Sequence, residues 1–147
     1  MQASLRSLAR SVVSRPTLSQ SARLPLRLGA VRYAHFLNAS EKEFNERVRN
    51  GGDKIVLVDF YADWCGPCRT LSPLLEAISE DGSTVIPGAP AVDLVSVDTD
   101  KEFDLAREFG ISSLPTVIAF KNGEQIGNFV GARPMPFVEA FLKKLDD

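Results

Sequence analysis

The 147-residue chain has two cysteines, and both lie in one pentapeptide, Trp64-Cys65-Gly66-Pro67-Cys68. Two thiols at this spacing can form half of a metal site, close a static disulfide, or cycle between dithiol and disulfide. A structural zinc site takes about four ligands. Beyond its Arg-rich first third, the chain adds only one histidine, His35, and no second C-x-x-C, so no metal is expected. A static disulfide across so short a loop removes little chain entropy. Redox cycling accounts for the intervening residues too. Pro67 suits a first helical turn, where its missing N–H costs nothing. Cys65 then falls at the helix N-terminus, where free N–H groups and the macrodipole favour its thiolate. Cys68 lies one turn inside and is shielded. Cys65 is therefore expected to attack and Cys68 to resolve. Gly66 leaves room for an approaching disulfide. Trp64 offers a flat surface beside the pair, unless it is a core tryptophan whose indole N–H has found a partner.

Asp59 is the other residue that suggests chemistry. It interrupts Lys54–Phe60, KIVLVDF, which otherwise reads as a buried central strand. An acid there is costly unless it is paired or protonated. Burial is expected to raise its pKa. A partly exposed strand-end acid is the competing reading.

The elements that position these groups follow from periodicity. Ser40-Glu41-Lys42-Glu43 is a capping box that opens a helix over about 41–50. After the cysteines, Leu71, Leu74, Leu75 and Ile78 share a helix face, with Pro73 expected to kink it. Asp81–Pro90, rich in Gly and Pro, reads as a loop. Val92–Val97 is a strand, and Glu102–Phe109 a short helix with Phe103, Ala106 and Phe109 inward. Thr116–Phe120 and Gln125–Val130 are strands joined through Asn122-Gly123, a strong hairpin signal. Pro134–Leu145 is the last helix, with Phe137, Phe141 and Leu145 on one stripe. Two strands joined by a helix imply a parallel crossover, and the hairpin adds antiparallel strands. The expected fold is α/β, a central mixed sheet with helices on both faces.

Residues 1–33 differ from the rest. They hold six arginines and six serines, and no acid occurs before Glu41. This Arg-rich, Ser-rich, acid-free composition is that of a cleavable organelle transit peptide. Arg32-Tyr33-Ala34 resembles a matrix-processing site, so a mature domain is expected over 34–147, in the mitochondrial matrix rather than a plastid. Removing the leader takes Lys plus Arg from 17 to 11 (17 − 6) against 19 acids, a formal charge of −8. That balance argues against nucleic acid and anionic membrane as partners.

The stretches VDFYADWCGPC, SLPT, FKNGE and VGA, in this order, resemble the thioredoxin family over about residues 36–145. W-C-G-P-C is specific within the wider fold group, since glutaredoxins and disulfide isomerases carry other residues between their cysteines. The resemblance implies a thioredoxin fold and protein-disulfide reduction through a Cys65–Cys68 redox-active disulfide. It makes Pro115 a cis-proline facing the cysteines; from sequence alone it reads as a strand-start proline. It groups Trp64, Gly66, Pro67, Leu114, Pro115, Gly131 and Ala132 as an apolar contact surface for substrate. It makes Asp59 a proton shuttle to Cys68. It implies an NADPH-dependent thioredoxin reductase as electron donor, and disulfide-containing targets such as peroxiredoxins and methionine sulfoxide reductases. It implies no bound cofactor, and a monomer. One departure is Ser96, where many relatives have a lysine beside the buried acid. A different class of function, a binding subunit with incidental redox activity, does not require the second thiol.

Overall fold

A computed structural model describes residues 34–145, apart from the side chains of 81–85. The expected leader lies outside the described residues. In chain order the elements are β1 (His35–Phe36), α1 (Glu41–Phe44, continued by a π-helical turn Asn45–Arg49), β2 (Ile55–Tyr61), α2 (Cys68–Val85) and β3 (Val92–Asp98). Then follow α3 (Phe103–Glu108), β4 (Thr116–Lys121), β5 (Glu124–Val130) and α4 (Met135–Lys144). The sheet order is β1-β3-β2-β4-β5. β1, β3 and β2 run parallel, and β4 and β5 are antiparallel. This is the mixed sheet expected from the sequence.

The alternation of β2 splits the core in two. Ile55 and Leu57 point to one face and pack with Leu71, Leu75 and Ile78 of α2 and Val138 and Leu142 of α4. Val56, Val58 and Phe60 point to the other, against Phe44, Val48 and Leu105. Phe44 stacks its ring 5.3 Å from that of Phe109 and 5.9 Å from that of Phe120. With side chains alternating across a strand, Asp59 belongs with Ile55 and Leu57, on the face covered by α2.

The local signals act as their chemistry predicts. The Ser40 N–H donates to Glu43 Oε2 at 2.9 Å, and the Glu43 N–H donates back to Ser40 Oγ, closing the capping box. The Ser40 N–H and hydroxyl both donate to Glu43 Oε2 at 2.9 Å, which favours the carboxylate and lowers its pKa. Asn122 and Gly123 take φ of 54° and 78°, the left-handed backbone that a two-residue hairpin needs.

Three local expectations need correction, and one strand was unforeseen. Asp81–Val85 continue α2 and are not loop. One glycine, Gly82, costs a helix only about 1 kcal/mol. The stop comes instead at Pro87, which disfavours helical backbone at the residue before it, Ile86, itself fully buried. In α3, Phe103 points outward, 66% exposed, and Leu105 and Ala106 are buried. In α4 the deepest positions are Val138 and Leu142, one residue beyond the expected stripe. Phe141 and Leu145 flank them, and Phe137 sits at the edge against Phe129. Strand β1 was not anticipated, because two residues are too few to show a period.

Candidate active site

The end of β2 delivers the chain to the front of α2. Cys65 and Cys68 are joined as a disulfide, with Cα atoms 5.3 Å apart. The helix proper begins at Cys68. Before it, the Arg69 N–H reaches Gly66 O, and the N–H groups of Thr70 and Leu71 reach Pro67 O. The Cys68 N–H donates to Cys65 Sγ at 3.2 Å. Cys65 Sγ thus accepts from the N–H three residues on, as an N-cap side chain does. The sequence led us to expect only Cys68 to be shielded. Both are buried in the disulfide form, at 3% and 2% exposure. What distinguishes them is the hydrogen bond to Cys65 Sγ, which is available to stabilise negative charge on that sulfur.

Trp64 is not a core residue. It is 69% exposed, and its Nε1 donates to Asp100 Oδ2 at 2.9 Å. Leu114 packs against the cysteine pair. The Leu114–Pro115 peptide is cis, and Pro115 O accepts from the Gly131 N–H at 2.8 Å. Gly131 has φ of 85°, and a Cβ added there meets nothing within 4 Å. The glycine therefore serves a left-handed turn and leaves a bare surface. Gly66, Pro67 and Ala132 are exposed around it. Trp64, Gly66 and Pro67 adjoin the cysteines in the chain, Leu114 packs on them, Gly131 bonds to Pro115, and Pro115 itself is buried. Phe103 was missed as a member of this region. With Trp64, Ile111 and Leu114 it lines a hollow of about 310 Å³.

Asp59 is completely buried. It is paired in register with Ser96 of β3 and Val117 of β4. The Ser72 hydroxyl donates to its Oδ2 at 2.7 Å, and Oδ1 has no hydrogen-bond partner among the described residues. Burial pushes its pKa up from 3.8 to about 6. The Ser72 bond works against that shift, and the charge of Glu76 adds to it. Ser96, 4% exposed, supplies no positive charge. A cleft of about 330 Å³, lined by Cys68, Ser72, Pro73 and Glu76 among others, opens beside this face of α2. Sequence reasoning identified Asp59 but missed Ser72. Its position four residues after Cys68, on the same helix face, was the available signal.

A cysteine pair whose first sulfur accepts an N–H at the start of a helix, on which Ser72 bonds a buried acid of raised pKa, is equipped for thiol–disulfide exchange. Comparison with known proteins agrees. The family model described as Thioredoxin matches residues 35–144. A thioredoxin of Porphyra purpurea is 39% identical over 105 residues, covering 71% of this chain and 92% of that protein. The mitochondrial thioredoxin of Bos taurus is 43% identical over 105 residues, covering 70% of this chain and 58% of that protein. The crystal structure of Malassezia sympodialis thioredoxin superimposes with a TM-score of 0.65 at 34% identity, covering 79% of this chain and 94% of that one. The chain belongs to the thioredoxin family of disulfide oxidoreductases.

Proposed function

We propose that this chain reduces protein disulfides in the mitochondrial matrix, with Cys65 as nucleophile, Cys68 as resolving thiol and Asp59 as proton shuttle. The observation that carries the reading is the Cys68 N–H bond to Cys65 Sγ, 3.2 Å long, on the only cysteine pair in the chain. In the reduced protein the Cys65 thiolate attacks a target disulfide. One target sulfur bonds to Cys65, and the other leaves as a thiolate that takes up a proton. Asp59 accepts the Cys68 proton, and Cys68 sulfur then attacks Cys65. The second target sulfur leaves as a thiolate and takes up a proton, so the target departs as a dithiol and Cys65–Cys68 is again a disulfide. Trp64, Gly66, Pro67, Leu114, Pro115, Gly131 and Ala132 form the surface on which the target lies. An NADPH-dependent thioredoxin reductase restores the dithiol. Peroxiredoxins and methionine sulfoxide reductases are the class of target.

Insulin reduction, driven by NADPH and a thioredoxin reductase, tests this function. Wild type is expected to turn over, and a Cys65→Ser/Cys68→Ser double variant to show none. Binding of targets with no turnover by wild type would instead fit a binding subunit.

The location rests on residues 1–33 and on the mitochondrial thioredoxins among the relatives. A fusion of residues 1–34 to a fluorescent protein is expected to enter mitochondria and to be cut near Ala34. Diffuse cytosolic fluorescence, or an uncut fusion by mass spectrometry, would overturn the address.

A further inference from the structure

Asp59 has no surface of its own. Among the described residues, its carboxylate receives one hydrogen bond, from Ser72 Oγ to Oδ2 at 2.7 Å. Ser72 and Cys68 both line the cleft of about 330 Å³, and Asp59 does not. Ser72 also lines a smaller hollow of about 150 Å³ on the side of Ser96. Ser72 therefore touches the buried acid on one side and the space shared with Cys68 on the other. A hydroxyl can donate and accept at once, which no carbon group at this position could do.

We propose that Ser72 is the positioning residue of this site: its hydroxyl holds the Asp59 carboxylate and relays protons between that acid and Cys68. This deepens the proton-shuttle reading of Asp59 and rests on it. The Cys68 S–H bond breaks, and its proton passes to Ser72 Oγ, directly or through one solvent molecule. The Ser72 O–H proton moves to Asp59 Oδ2 in the same event. The products are a Cys68 thiolate and a neutral Asp59 carboxyl, with no electron transferred. Asp59 later returns the proton to solvent by the reverse path.

The groups around the acid leave this work to Ser72. Glu76 from α2 and Tyr61 from β2 are the titratable groups coupled to its charge, while Ser96 from β3 and Val117 from β4 carry no charge. Glu76 disfavours the carboxylate, and the Ser72 hydrogen bond favours it.

The test uses wild type, Ser72→Ala, Ser72→Thr and Asp59→Asn. Asp59 is titrated by carbon NMR of its carboxyl in the oxidised protein, where no thiol titrates, and the pH profile of insulin reduction is measured alongside. Ser72→Ala is expected to move both the Asp59 titration and the rate profile to higher pH. It should also lower the rate at pH 7 by about tenfold, a fraction of the usual general-base effect. Ser72→Thr, which keeps the hydroxyl, should restore both. A Ser72→Ala protein with the wild-type rate profile overturns the relay, whether or not the Asp59 titration has moved. If Asp59→Asn is slow while Ser72→Ala is not, only the relay fails. If Asp59→Asn reduces insulin as fast as wild type, the shuttle reading fails and the relay with it.

Discussion

Replacing Asp59 with alanine is expected to make the folded protein more stable at pH 8 and to slow disulfide reduction. The stability gain comes from the cost of ionising a carboxyl that has no exposed surface. The folded-state pKa is about 6, against an ordinary 3.8. Between those values the unfolded chain has released its proton while the folded protein still holds it. The folded state then binds more protons, so stability falls as pH rises across that window and stays low above it. At 1.36 kcal/mol per pH unit, the displacement corresponds to about 3 kcal/mol. Lost side-chain volume and an unpaired Ser72 hydroxyl subtract from the gain, leaving about 1–3 kcal/mol, inside the range seen when buried ionic groups become apolar. Urea unfolding of the oxidised proteins at pH 4 and pH 8 should show the gap between variant and wild type widening with pH. The rate should fall because Cys68 loses its proton acceptor. General-base assistance is worth about 10²–10⁴-fold, and water in the cleft recovers part of it. A variant less stable than wild type at pH 8, or one as fast in insulin reduction at saturating reductase, would contradict this account of Asp59.

The same residue shows how far the sequence could be read. A single acid in KIVLVDF was visible at once, and the period of two puts it on the face of Ile55 and Leu57. Its hydrogen-bond partner was not visible. A serine among Leu71, Pro73 and Leu74 looks like a neutral helix position, and only the packing of α2 on β2 brings its hydroxyl to 2.7 Å from Oδ2. Phe103 was misplaced for a related reason. A helix of six residues has too few turns to fix its phase, and Leu105 set it instead. The end of α2 lies later than expected because the breakers of DGSTVIPGAP concentrate after Val85, at Pro87, Gly88 and Pro90. The cysteines were recognised by type and spacing, but their equal burial belongs to the closed disulfide and to Leu114 and Tyr61 packed on it. The cis peptide at Pro115 came from family resemblance, since a proline before a strand reads first as a strand start.

The proposed mechanism gives the two thiols of Cys65-Gly66-Pro67-Cys68 different work. It predicts opposite outcomes from two changes of one atom each. Cys68→Ser leaves the capping sulfur, Cys65, able to attack a target disulfide, but removes the thiol that would release the product. Cys65→Ser removes the attacking sulfur. Its remaining thiol, Cys68, begins the helix, and its N–H is the donor to position 65. Each variant, reduced and immobilised, is exposed to a mitochondrial matrix extract, washed, and eluted with a thiol reductant onto a gel. Cys68→Ser is predicted to hold many proteins as mixed disulfides that only the reductant releases, and Cys65→Ser almost none. Equal capture by the two variants, or more by Cys65→Ser, would contradict the division of labour between Cys65 and Cys68.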